Sequence, residues 1–142
     1  MKFYIACDHA GFDIKDSVIK ILEDFGNEVV NLGTNSKERV DYPDFAHKLS
    51  EAVLKDKGSQ GVLICGTGIG MSLSANKHKG IRAALCHDAY TATMARAHND
   101  ANVLCFGERV VGLGVVSSIL KAWCDTSFEG GRHANRVQKI EL

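Results

Sequence analysis

The sequence predicts an α/β fold in which a parallel sheet is covered by helices on both faces. Three observations carry this. Short apolar runs alternate about five times with segments whose apolar residues recur at helical spacing. No linker or low-complexity segment interrupts the alternation. A length of 142 residues favours one domain with one sizeable core.

Lys2 to Cys7 is an apolar run ending at Asp8-His9-Ala10-Gly11, which reads as a buried strand and a turn. Ile14, Val18, Ile21, Leu22 and Phe25 follow at helical spacing, with Gly26 as the stop. Glu28 to Leu32 is a second strand, turned by Gly33 and Thr34. After a polar stretch, Tyr42-Pro43-Asp44 opens a helix whose stripe is Phe45, Leu49, Ala52 and Val53. Val62 to Ile64 is a third strand that ends in Cys65. Glycine at every second position follows (Gly66, Gly68, Gly70), and a helix runs to about Lys77. Ile81 to Leu85 is the fourth strand, and Asp88 can N-cap a helix to about His98. Val103 to Phe106 is the fifth strand, and Val115, Val116, Ile119, Leu120 and Trp123 mark a fifth helix. Residues 127–142 form a tail with an alternating end, Val137 to Leu142. It packs on its own domain or reaches a partner; the second option brings Arg132 and Arg136 near another copy's site.

Right-handed crossovers place every strand's C-terminal end on one edge of such a sheet, where ligands bind. That edge collects Asp8-His9, Cys65 to Gly70, His87-Asp88 and Gly107 to Arg109. The glycine turn would expose several backbone N–H groups, which suit anionic oxygens. A thiolate at its edge is favoured by the same field. One short segment thus offers a base or nucleophile beside an oxyanion site.

Three familiar uses of such a loop fail by position. A dinucleotide fingerprint would put its third glycine at Met71, a cysteine-phosphatase loop would put its arginine there, and a P-loop lysine is absent. A plain βα turn with a buried cysteine remains an alternative. Asp8 also reads as a turn cap, and His98-Asn99-Asp100 as a helix end. Arg132 and Arg136 are four apart, so a helix would set both guanidinium forks on one face, as a phosphate needs. His47, His78, His87 and His133 have no spacing that demands a role.

Net charge is zero with histidines neutral, so no global field calls for nucleic acid or an anionic membrane. Five cysteines without CxxC or zinc spacing indicate reduced thiols, no metal site and a cytoplasmic setting. The N-terminal apolar run is too short for a signal peptide or a spanning helix.

Six motifs, in order along the chain, resemble type B ribose-5-phosphate isomerases and the related galactose-6-phosphate isomerase subunits. They are Cys7 to Gly11, Val40 to Asp44, Ile64 to Gly70, Ala97 to Asn102, Leu104 to Arg109 and Gly130 to Val137. Many family members carry serine where this chain has Cys7. The resemblance implies a Rossmann-like three-layer sandwich with strand order 2-1-3-5-4. It implies a metal-independent aldose–ketose isomerase without a cofactor, acting in pentose phosphate metabolism. It implies homodimers, often paired into tetramers, with each site shared between two chains.

The resemblance also implies residue roles. Cys65 matches the base that moves a proton between C2 and C1, and Thr67 assists. The backbone of Gly66, Thr67, Gly68, Ile69 and Gly70 would hold the enediolate. His98 matches the ring-opening acid, with Asp8 as helper, and Asn99 would bind sugar hydroxyls. Arg132 and Arg136, with His9 and Arg109, would hold the phosphate, and Tyr42 would line the sugar pocket. The galactose-6-phosphate relatives divide these residues between two subunits, whereas this chain carries them together. That favours the pentose phosphate over six-carbon phosphates such as allose 6-phosphate. A sugar-phosphate sensor without turnover and a thiol redox protein are the readings from other classes.

Overall fold

The computed structural model describes all residues, 1–142. Its five strands are β1 (Lys2–Cys7), β2 (Glu28–Asn31), β3 (Gln60–Cys65), β4 (Ala83–Leu85) and β5 (Val103–Gly107). The helices are α1 (Phe12–Asp24), α2 (Tyr42–Lys55), α3 (Ile69–Ala75), α4 (Ala89–Ala97), α5 (Leu113–Asp125) and α6 (Arg132–Ile140). The strands form one sheet in the order β2-β1-β3-β5-β4, and every pairing is parallel. The expected order is the observed one.

Strand periodicity builds two cores. Successive side chains point to opposite faces. Val62 and Ile64 therefore face one way and pack with α1, α4 and α5, through residues such as Val18, Leu22, Ala92, Ile119 and Trp123. Leu63 and Cys65 face the other way and pack with α2 and α3, through Leu49, Val53, Met71 and Ala75. All six residues of β3 are buried, as a central parallel strand requires.

Local signals set the helix boundaries. Pro43 occupies the first turn of α2, where its missing N–H costs nothing. Asp88 caps α4: its Oδ1 accepts from Thr91 N–H at 2.7 Å, and Thr91 Oγ1 accepts in return from Asp88 N–H at 3.3 Å. Gly26, with φ of 90°, follows α1 as the left-handed stop that its position suggests.

The tail forms helix α6, which runs through the alternating end as far as Ile140. Glu141 then binds Arg82 Nη1 at 3.2 Å and accepts from Gly80 N–H at 3.1 Å. These contacts lay α6 along the edge where β4 and β5 begin.

Leu63 is wholly buried between β3 and the α2/α3 layer. Leu63→Ala should destabilise the fold by about 2–5 kcal/mol, read as a lower urea midpoint at unchanged slope. A change under about 1 kcal/mol would contradict this packing.

Candidate active site

At the strand-end edge, β3 delivers Cys65 into the glycine loop. Gly68 adopts φ of 80° and caps the start of α3. A side chain there would meet the Phe106 backbone at 2.7 Å, so only glycine fits. This turn aims the Gly68 N–H at Cys65 Sγ, 3.1 Å away. Such a donor interacts more strongly with an anionic sulfur than with a neutral thiol.

The other four thiols sit in different surroundings. Burial pushes the thiols of Cys7 and Cys86 up to about 11. Burial also raises Cys105 well above its ordinary value, and Cys124 in the same direction. Among the five, Cys65 alone accepts a backbone N–H. It is 5% exposed and packs in the core cluster that contains Met71, Ala75 and Cys105.

Several expected residues gather around this loop. Asp8 is buried, and its Oδ1 accepts from Ala10 and Gly11 N–H at 2.9 and 3.2 Å. The expected turn cap is therefore real. Its Oδ2 makes no hydrogen bond within the chain. His9 Nδ1 accepts from Val40 N–H at 3.2 Å, which ties the first loop to the segment before α2. The Tyr42 ring fills the space beside Gly70, where a Cβ would collide with it. Arg109 lies over the loop: its N–H donates to the Gly66 carbonyl at 3.1 Å, and its Nη1 would be 3.2 Å from a Cβ at Gly66. Thr67 is exposed, and its Oγ1 accepts from Ile69 N–H at 3.3 Å.

The remaining expected residues stand elsewhere. His98 and Asn99 follow α4, which runs back from the strand ends to the strand starts. Asn102, just beyond, accepts from Gly61 N–H at the start of β3. Cys65 lies four residues further along that strand, roughly 13 Å at strand rise. Arg132 and Arg136 are exposed on α6, along the same strand-start edge. One chain thus carries two groups of residues on opposite edges. A cleft of about 480 Å³ on the strand-start edge is lined by Lys77, His78, Arg82, Asn99 and Glu141 among others, and Cys65 is not part of it.

Two residues that the sequence did not single out stand against His98. The His133 ring stacks on the His98 ring, with centroids 4.1 Å apart and planes at 13°. Glu129 Oε1 lies 3.7 Å from His98 Nε2 and 3.5 Å from His133 Nε2. These three are the chain's one cluster with the make-up of a metal site. Metal coordination needs the ion in the plane of each imidazole, and two rings stacked face to face share no such point. As arranged, the cluster does not converge on an ion.

A parallel sheet that carries a thiol and a glycine loop at one strand end, with the Gly68 N–H aimed at the sulfur, has the layout of an α/β protein with a ligand site at its strand ends. Comparisons with known proteins agree with that class. The model of the ribose/galactose isomerase family matches residues 3–140. Ribose-5-phosphate isomerase B of Escherichia coli is 48% identical over 139 residues, 98% of this chain and 93% of that protein. The ribose-5-phosphate isomerase B structure of Clostridium thermocellum superposes with a TM-score of 0.96 at 50% identity, covering 99% of this chain and 95% of that one. The type B enzyme of Trypanosoma brucei gives 0.95 at 48%, covering 98% and 95%. The chain belongs to the ribose/galactose isomerase family, and it is an isomerase.

Burial, then His98 and Arg132, hold the His133 imidazole below its ordinary value; Glu129 opposes them, and Arg136 adds a smaller lowering. A depressed histidine favours the fold fully above its unfolded value of about 6.5. That contribution is lost as pH falls through the lowered folded value. The melting temperature should therefore drop between pH 7 and pH 5, and by less in His133→Phe. An equal drop in the variant would contradict this assignment.

Proposed function

We propose that this chain interconverts D-ribose 5-phosphate and D-ribulose 5-phosphate through a cis-enediolate. The observation that carries the reading is the Gly68 N–H aimed at Cys65 Sγ. It is supported by relatives named ribose-5-phosphate isomerase B at 48% identity across nearly the whole chain.

Ribose 5-phosphate closes as a furanose, because its O5 carries the phosphate. His98 gives a proton to the ring oxygen O4 while Asp8 takes the anomeric hydroxyl proton. The C1–O4 bond breaks and C1=O1 forms. Cys65 thiolate then takes the C2 proton, and the electrons shift into C1=C2 with charge on O1. The N–H groups of Gly66, Thr67, Gly68, Ile69 and Gly70 hold that charge. Thr67 helps the hydroxyl proton pass from O2 to O1. Cys65 returns its proton to C1, and C2=O2 completes the ketose. Asn99 binds sugar hydroxyls and Tyr42 lines the pocket. Arg132 and Arg136, with His9 and Arg109, hold the phosphate.

Asp8 and Cys65 lie at the strand-end edge, His98 and Arg136 at the strand-start edge. A complete site therefore takes Cys65 from one copy and His98, Asn99, Arg132 and Arg136 from another. The working form is a homodimer or a pair of such dimers. Residues 1–142 act as one isomerase domain, and the 127–142 tail presents its arginines to the partner while packed on its own chain. No helix is long and apolar enough to cross a membrane, and we place the enzyme in the cytoplasm with no nucleic-acid or membrane partner. It needs no metal or cofactor.

Cys65→Ala should lower kcat on ribose 5-phosphate by about 10²–10⁴ with binding retained; near-normal turnover would defeat the mechanism. The wild-type enzyme should prefer this substrate to allose 6-phosphate in kcat/KM, and a hexose preference would overturn the substrate. Arg132→Ala and Arg136→Ala should each raise KM about tenfold or more, as loss of a charged hydrogen bond does. Unchanged KM in both would remove the phosphate assignment. Chelators should leave the rate unchanged.

A further inference from the structure

His98 closes α4, and its side chain is 38% exposed. Nothing in its own helix fixes the plane of its ring. The plane is fixed from outside, by the face of buried His133 at 4.1 Å. His133 is held in turn: its N–H donates to the Gly130 carbonyl at 3.0 Å. The Glu129 N–H donates to the Ala97 carbonyl at 3.0 Å, stitching this segment to the helix that carries His98. The Glu129 carboxylate is thereby placed beside Nε2 of both rings, in a charge contact longer than a hydrogen bond.

Resting on the ring-opening role proposed above for His98, we propose that Glu129 and His133 are positioning residues for that step: the His133 face sets the plane of the His98 imidazole, and the Glu129 charge keeps a proton on its Nε2, so that Nδ1 serves the sugar. A carboxylate near one ring nitrogen favours a proton there, in the cationic and in the neutral ring alike. His98 therefore gives up its Nδ1 proton to O4 and retains the one on Nε2. No other acidic side chain lies within ion-pairing distance of His98.

The substrates themselves separate this role from a structural one. The aldose is cyclic and must be opened. The ketose carries its carbonyl at C2 and its phosphate on O5, so it cannot close a furanose and needs no opening. Initial rates are compared in both directions, from ribose 5-phosphate and from ribulose 5-phosphate. Glu129→Gln and His133→Ala should each lower kcat from the aldose about tenfold while leaving ketose consumption within about twofold. His133→Phe keeps an aromatic face and should retain most of the aldose rate. Equal losses in both directions, or no loss from the aldose, would overturn the inference. A His133→Phe loss as large as that of His133→Ala would overturn the stacking role. If His98→Asn itself leaves the aldose rate intact, the ring-opening assignment fails and this inference with it. A large aldose loss in His98→Asn with none in Glu129→Gln or His133→Ala overturns this inference alone.

Discussion

The Gly68 N–H points at the Cys65 sulfur because Gly68 is left-handed, and a side chain there would strike the Phe106 backbone. That donor is built from strand, turn and helix geometry together. β3 must end at Cys65, β5 must lie beside it in register, and α3 must start at once. Burial is the largest cause that drives the other thiols of this chain upward. On the proposed mechanism the fixed Gly68 donor serves Cys65, since a fixed dipole costs no reorganisation when charge appears.

Strand direction imposes the second constraint. In a parallel sheet, a residue after a strand and a residue before the next one sit on opposite edges. Cys65 ends β3 and His98 precedes β5, which pairs with β3. No side-chain rotation closes a gap of roughly 13 Å. The His98 edge is built as a unit of its own. Asp100, with φ of 47°, is clamped by Arg82 and Arg96 at 3.3 and 3.1 Å, and Arg82 also holds Glu141 beyond α6. The turn with Asn99 and the helix with Arg132 and Arg136 thus form one braced surface. On the proposed reading, a second copy of the chain receives that surface.

Much of this was legible in the sequence. The five βα repeats, the Pro43 entry, the Asp88 cap and the Gly26 stop are local signals, and each acts where its spacing places it. The strand order came from the family resemblance. The glycine loop was legible because every second residue is glycine, although the aim of the Gly68 N–H depends on Phe106, 38 residues away. In the tail, only the four-residue spacing of Arg132 and Arg136 hinted at a helix; its contacts with Arg82 and His98 set its place on the sheet's edge. Glu129 and His133 carried no local signal, because their meaning lies in contact with a histidine more than thirty residues earlier. Asp8 is the turn cap its position suggests, through Oδ1, and its catalytic role stays with the proposed mechanism.

The central claim is that Cys65 of one copy works with His98 of another. Subunit complementation tests it most directly. Cys65→Ala and His98→Asn chains, each of low activity alone, are unfolded and refolded together in equal amounts. In a twofold dimer with shared sites, half of the dimers are mixed and each regains one intact site of two. The account predicts recovery of roughly a quarter of wild-type turnover from ribose 5-phosphate. Activity no higher than the average of the two separate variants would contradict it.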